Sequence, residues 1–216
     1  MYQISDLKIM VIGPPSTGKT SFVNMWTKNI FPEAYKATIV SEFGFRMYDF
    51  KGRKFRIQLW DIGGQDKTCA VAKIFAKDSH GCLVVSDVND VNTIQKTLQW
   101  KNTVNEVAKF MDGQDLPCVL VENKIDLYND NIMDMERNAK RFAQENGYVD
   151  VFLTSVKNKQ NVDESMECLI NNILERMDQF AKSGGNTSSV RDSLKLDDDK
   201  KSSKRKRKND EDTGCC

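Results

Sequence analysis

The sequence predicts an α/β fold: a mostly parallel sheet with one antiparallel edge strand and helices on both faces. Three observations predict it. Short apolar runs suited to buried strands alternate with stretches of 3.6-residue spacing. One pair of strand-like segments, 42–50 and 53–60, is joined across only Lys51-Gly52 and so must pair antiparallel as a hairpin. A glycine-rich octapeptide lies between the first strand and the first helix, at the end of the strand where such sheets hold ligands.

The first strand is Leu7-Lys8-Ile9-Met10-Val11-Ile12, and the octapeptide Gly13-Pro14-Pro15-Ser16-Thr17-Gly18-Lys19-Thr20 follows it. It fits G-x-x-x-x-G-K-[ST]. Ser21-Phe22-Val23-Asn24-Met25-Trp26 then continues as a helix. Successive backbone N–H groups of such a loop, with the helix N-terminus, cradle phosphate oxygens. Gly13, Ser16, Thr17, Gly18 and Ser21 belong to that cradle. Lys19 reaches the outer phosphates, and the Thr20 hydroxyl is a Mg²⁺ ligand.

A polar segment from Ile30 to Ser41 comes next. Within it Phe31 is placed to stack edge-on against a base, and Thr38 offers a hydroxyl to Mg²⁺ and an N–H to a γ-phosphate. The strand Phe55-Arg56-Ile57-Gln58-Leu59 ends in Trp60-Asp61-Ile62-Gly63-Gly64-Gln65. Asp61 is expected to hold Mg²⁺ through water, as hard cations take oxygen ligands and keep part of their hydration. Gly64 allows a backbone N–H to approach the γ-phosphate where a side chain would obstruct it. Gln65 is placed to orient the attacking water. Both segments would be held only while that phosphate is present, which makes a switch.

Helical spacing appears at 91–111, 133–146 and 160–180. In the last of these Val162, Met166, Leu169, Ile170, Ile173, Leu174 and Met177 mark the inner face. Between them run two more strands, Cys118-Val119-Leu120-Val121 and Tyr148-Val149-Asp150-Val151-Phe152-Leu153. Asn123-Lys124-Ile125-Asp126 follows the first. As in GTP-binding folds, the Asp126 carboxylate can accept from guanine N1–H and the 2-amino group. Adenine lacks that donor pair and would leave the carboxylate unpaired, which is costly when buried. Asn123 braces the loop, and the stem of Lys124 lies over the ring. After the second strand, Thr154-Ser155-Val156-Lys157 offers backbone groups of Ser155 and Val156 to guanine O6, with Lys157 flanking the base.

Taken together these residues resemble a Ras-superfamily small GTPase, and specifically a Rab. The match covers roughly residues 7 to 180 and the last two. Phe31 to Ile39 resembles the first Rab switch; Trp60 with Phe43 and Phe75 resembles the aromatic cluster beneath the switches. Trp100-Lys101 and the long loop before Pro117 are similar to Rabs of lysosome-related organelles. The resemblance implies a P-loop NTPase fold with a six-stranded sheet, binding of GTP and GDP with Mg²⁺, and slow hydrolysis in which Gln65 and Lys19 take part. It also implies a monomer that meets exchange factors (GEF), activating proteins (GAP), GDI or escort proteins and effectors in vesicle-mediated protein transport.

The chain departs from that pattern at several places. Pro14-Pro15 stands where Rabs carry a small or polar pair. Pro15 has no N–H, and it faces the γ-phosphate and an incoming GAP arginine, so its ring is expected to alter GAP-stimulated hydrolysis while leaving binding intact. Ser16 and Val40 replace glycines, Gly63 and Val156 replace alanines, and Asp66 replaces a glutamate.

Composition limits the alternatives. A chain of 216 residues with 39% hydrophobic residues and a net charge of +1 has core enough for one domain and no general case for nucleic acid. Cys69, Cys82, Cys118 and Cys168 are scattered, with neither metal spacing nor a disulfide framework, and read as thiols of a reducing compartment. The lone His80 argues against a histidine triad and reads as structural. No signal peptide or long apolar run is visible, so the chain is expected to be cytosolic until modified.

From Ser183 onward the composition changes. The division expected is a small GTPase domain at 1–180 and a disordered hypervariable tail at 181–216. The tail carries Lys204-Arg205-Lys206-Arg207-Lys208 and ends in Cys215-Cys216, which by the resemblance is a double prenylation site. Two lipid chains suffice for stable anchoring where one does not. The basic run adds attraction to anionic lipid, weakened by Asp210, Glu211 and Asp212; a nuclear import signal is its rival reading. The expected location is the cytoplasmic face of an intracellular membrane, in exchange with cytosol. Two other functions stand beside the switch. One is a GTP-binding scaffold with impaired hydrolysis, suggested by Pro15 and Val40. The other is a P-loop phosphotransferase, for which neither acceptor site nor lid is visible.

Overall fold

The computed structural model describes residues 5–32, 38, 41–65 and 69–184. The departures at Val40 and Asp66, the basic run, and Cys215 and Cys216 lie outside the described residues.

In order the elements are β1 (Ser5–Ile12), α1 (Lys19–Lys28), β2 (Ser41–Phe50), β3 (Arg53–Ile62), α2 (Ala70–Ala76), β4 (Gly81–Asp87), α3 (Val91–Val107), β5 (Cys118–Asn123), a 3₁₀ turn (Ile125–Leu127), α4 (Ile132–Glu145), β6 (Asp150–Thr154) and α5 (Val162–Lys182). The described strands form a six-stranded sheet in the order β2-β3-β1-β4-β5-β6. All neighbours pair parallel except β2 and β3. The expected architecture, with one antiparallel edge strand, is what the chain adopts. The sequence pattern alone marks neither β4 nor α2.

The central strands are buried on both faces, which is why they read as unbroken apolar runs. The hairpin is tight because Lys51 and Gly52 both take left-handed backbone (φ 53 and 78), the conformation a two-residue loop needs. Gly44 on β2 lies under α1, where a Cβ would come within 3.1 Å of Val23 and Thr27. All seven inner-face residues expected of α5 are buried. His80 is structural as expected: its Nδ1 accepts from the Lys8 N–H at 3.1 Å, and burial holds its pKa below the ordinary value.

One helix is shorter than its spacing predicts. α3 stops at Val107, not at 111. The chain turns extended at Ala108 so that Phe110 can bury itself against the Arg176 guanidinium, 4.3 Å from the ring. Gly113 then closes the loop at φ 80, and Asp112 accepts from Arg176 at 2.7 Å. Apolar spacing continued past the end of the helix because Phe110 and Met111 pack on the core from a loop. Among the described residues no helix is long and apolar enough to cross a membrane.

Candidate nucleotide site

The site is assembled at the carboxyl ends of β1, β3, β5 and β6. Ile12 delivers the loop 13–18 against β4. Gly13, at φ 137, passes so close that a Cβ would lie 2.2 Å from the Val85 carbonyl oxygen. Ser16 is left-handed at φ 63, a conformation glycine adopts more readily. Pro14 is buried, and its carbonyl accepts from Lys19 Nζ at 2.7 Å and Thr17 Oγ1 at 3.1 Å. Pro15 and Ser16 are exposed. Lys19 is buried, and burial lowers its pKa to about 8 against the opposing pull of Asp61.

The segment after β3 meets this loop directly. A Cβ on Gly64 would lie 2.5 Å from Lys19 Nζ and 2.6 Å from the Pro14 carbonyl carbon and the Pro15 nitrogen. Gln65 follows it, exposed on the same turn. Thr20, Thr38 and Asp61 converge. Thr20 Oγ1 donates to Asp61 Oδ2 at 2.5 Å, the two threonine hydroxyls are 2.7 Å apart, and Thr38 Oγ1 is 3.4 Å from the same carboxylate oxygen. Asp61 Oδ1 is buried with no hydrogen-bond partner among the described residues. Burial raises the Asp61 pKa to about 6, although Thr20 and Lys19 pull it down. Two hydroxyls and an orphaned carboxylate oxygen form a hard-oxygen donor set suited to Mg²⁺.

A cavity of about 300 Å³ lies beside the loop. It is lined by Gly18, Ser21, Phe31, Asn123, Lys124, Asp126, Leu127, Val156 and Lys157. Eight of these nine were expected from sequence. Asn123 is the brace between the two halves: its Nδ2 donates to the Thr17 carbonyl at 2.9 Å, and its Oδ1 accepts from Thr154 Oγ1 and the Val156 N–H, both at 3.1 Å. Gly18, at φ 97, leaves the space Asn123 occupies; a Cβ there would lie 2.4 Å from Nδ2.

The structure assigns Ser155 a further task. Its hydroxyl donates to Asp126 Oδ1 at 2.6 Å and accepts from the Asn158 N–H at 3.1 Å, fixing the carboxylate that faces the cavity. Lys124 has left-handed backbone at φ 69, and its ammonium pairs with Asp87 Oδ2 at 2.7 Å. Burial pushes the Asp87 carboxyl up, yet donors from Lys124 and Asn89 outweigh it and hold its pKa below the ordinary value. Asn89 also donates to the Lys124 carbonyl at 3.2 Å.

The sequence reading does not single out Asp87, Asn89 or Leu127, and it names Thr154 only within the 154–157 element, without its hydroxyl bond to Asn123. A polar turn, Ser86-Asp87-Val88-Asn89-Asp90, after an apolar run was the available signal for the first two.

On the outer side of the sheet Trp60 sits between Phe43 and Phe75, with ring centroids 5.4 and 5.5 Å away, and Lys8 Nζ lies 5.1 Å from its ring. Phe43 is half exposed and Ile74 three-quarters exposed.

Comparison with known proteins agrees with this geometry. The Ras family model matches residues 8–175. The chain is similar to Ras-related protein Rab-32 of Mus musculus, at 32% identity over 80% of this chain and 78% of the relative. It is 30% identical to Ras-related protein Rab-7L1 of Homo sapiens, over 77% of this chain and 82% of the relative. It is also 30% identical to Ras-related protein Rab-32A of Dictyostelium discoideum, over 78% of each chain.

Proposed function

The chain belongs to the Ras family of small GTPases, with Rab proteins as its relatives, and from that premise we propose that it is a guanine-nucleotide switch on a cytoplasmic membrane surface. The observation that carries the reading is the Asn123 brace. It joins the phosphate loop to the Asp126 and Val156 loops, so one ligand spanning both would sense them together.

In this reading Asp126, held by Ser155, accepts from the guanine edge. Phe31, Lys124 and Lys157 flank the ring, and the Val156 loop meets O6. Lys19 Nζ leaves the Pro14 carbonyl for the outer phosphate oxygens, and the backbone N–H groups from Ser16 to Ser21 cradle the rest, Pro14 and Pro15 having none to offer. Thr20, Thr38 and Asp61 would hold Mg²⁺, which when bound would neutralise charge on the phosphate oxygens. Gln65 orients the water that attacks in line, and Gly64 offers its N–H to the γ-phosphate. Unassisted turnover is slow, on the order of 10⁻⁴ s⁻¹, because a charge-stabilising arginine comes from the GAP. The surface of Phe43, Trp60 and Phe75 receives effectors. The tail begins after α5, which runs to Lys182, two residues beyond the division at 180 expected from the sequence, and Cys215 and Cys216 take the prenyl groups.

Displacement of fluorescent GDP from the purified chain tests this. GTP should compete and ATP should not. Equal competition by ATP overturns the guanine assignment. Localising the full chain beside its Cys215→Ser/Cys216→Ser form tests the anchor, which is wrong if both sit on the same membrane. A second reading, a GTP-binding scaffold with impaired hydrolysis, is favoured by exposed Pro15 packed at the Gly64 turn; phosphate release with and without a GAP separates the two.

A further inference from the structure

A second cavity, of about 720 Å³, opens between α3, the 3₁₀ turn and α4, away from the phosphate loop. One wall includes Glu122 of β5. Glu122 is 2% exposed, on a strand otherwise made of apolar residues and Asn123. No described residue hydrogen-bonds or ion-pairs with its carboxylate, and burial alone pushes its pKa up to about 7. Its register neighbours offer nothing: the Ser86 hydroxyl donates to the Val121 carbonyl at 3.3 Å, and Leu153 is apolar.

The rest of the cavity is amphipathic. Ile94, Leu127, Met135 and Phe142 supply apolar wall. The charged groups facing it from the 3₁₀ turn and α4 are Asp130, Asp134, Arg141 and Glu145, three acids to one cation. Asp134 is answered by Arg137 at 3.2 Å, and Arg141 donates to Asn138 at 3.3 Å. The α3 residues in the wall, Val91 and Ile94, carry no charge. A buried carboxylate without a donor is costly, and pockets of this size with apolar walls and a few fixed polar groups suit small molecules.

We propose that this cleft binds a small organic cation, an alkyl- or arylalkyl-ammonium whose N–H donors meet Glu122 and whose hydrocarbon body packs on Ile94, Leu127, Met135 and Phe142. Both charge and apolar body are needed, because either alone leaves half of the lining unmatched. Binding strengthens as pH rises through the Glu122 titration.

The probes are phenethylammonium and its neutral analogue 2-phenylethanol, titrated into the GDP-loaded full chain and followed by NMR. The cation should bind roughly tenfold more tightly than the alcohol above neutral pH, the scale of one charge-assisted hydrogen bond. Resonances of Ile94, Leu127 and Met135 should move. Glu122→Gln should erase the difference and leave the alcohol's affinity intact. Equal affinity of the two probes, or cation binding unchanged in the variant, overturns the proposal. The wild-type chain gives an independent reading should the variant fold poorly: the Glu122 carboxyl carbon must titrate at lower pH with the cation bound. An unmoved titration, or shifts confined to Asp130 and Asp134, overturns the proposal as well.

Discussion

Removing the Asn123 side chain should separate the two halves of the nucleotide site. In Asn123→Ala three hydrogen bonds are lost, to the Thr17 carbonyl, the Thr154 hydroxyl and the Val156 N–H. Each contributes about 1 kcal/mol net. The residues left behind, Thr17, Thr154 and Val156, are buried at 0%, 0% and 2% exposure. Water therefore does not readily take the place of the amide, and an unsatisfied buried group costs about 1–3 kcal/mol. Partial relaxation of the loops lowers the sum, so the expected loss is about 3–5 kcal/mol, large beside a domain stability of about 5–15 kcal/mol. Urea unfolding must be run at one fixed GDP concentration and again without nucleotide, since ligand stabilises the native state by mass action. Release of fluorescent GDP should be faster in the variant under the same conditions. A loss below about 1 kcal/mol with unchanged release would refute the reasoning, because the loops would then be held together by something other than this amide.

Glu122 should make stability fall as pH rises. The unfolded chain releases this proton near 4.5 and the native chain near 7, so the native state holds the extra proton between them. The penalty grows through that window to roughly 3 kcal/mol at 1.36 kcal/mol per pH unit; urea midpoints from pH 4.5 to 8 should show Glu122→Gln flattening the profile, and parallel profiles count against it. Asp61→Ala should make GDP release insensitive to EDTA, whereas the wild-type chain should release faster on chelation; a variant that still responds to EDTA places the metal elsewhere. Pro15→Gly should change single-turnover GTP hydrolysis with a GAP while leaving GDP affinity within about twofold, a difference of about 0.4 kcal/mol. Equal rates with and without the GAP in the two proteins remove Pro15 from the chemistry.

Much of the site was legible because its parts are local. Gly13, Gly18, Lys19 and Thr20 lie in one loop whose chemistry is written in consecutive residues, and Asn123 to Asp126 is another. What eluded the sequence depends on strand register. Asp87 lies beside Asn123, and Asn123 beside Thr154, only because β4, β5 and β6 pair as they do. Nothing in the spacing of those residues along the chain says so. Ser155 was read for its backbone, yet its hydroxyl holds Asp126; a side chain's choice of partner follows from the tertiary approach of two loops. The end of α3 was misplaced for a different reason. Apolar periodicity reports burial, and Phe110 is buried from a loop. The fold was legible in its alternation and in the Lys51-Gly52 turn, where backbone geometry and residue type coincide.

The ring of Trp60 touches Phe43 on β2 and Phe75 on α2, and so bridges the sheet and the helix that follows Gln65. The other two tryptophans, Trp26 and Trp100, are buried at 4% and 3% exposure, and among the described residues neither ring stacks on Phe43, Trp60 or Phe75. The protein therefore carries its own optical reporter. Loading with GDP or a slowly hydrolysed GTP analogue should alter emission intensity or wavelength through Trp60 alone, and Trp60→Phe should silence the change.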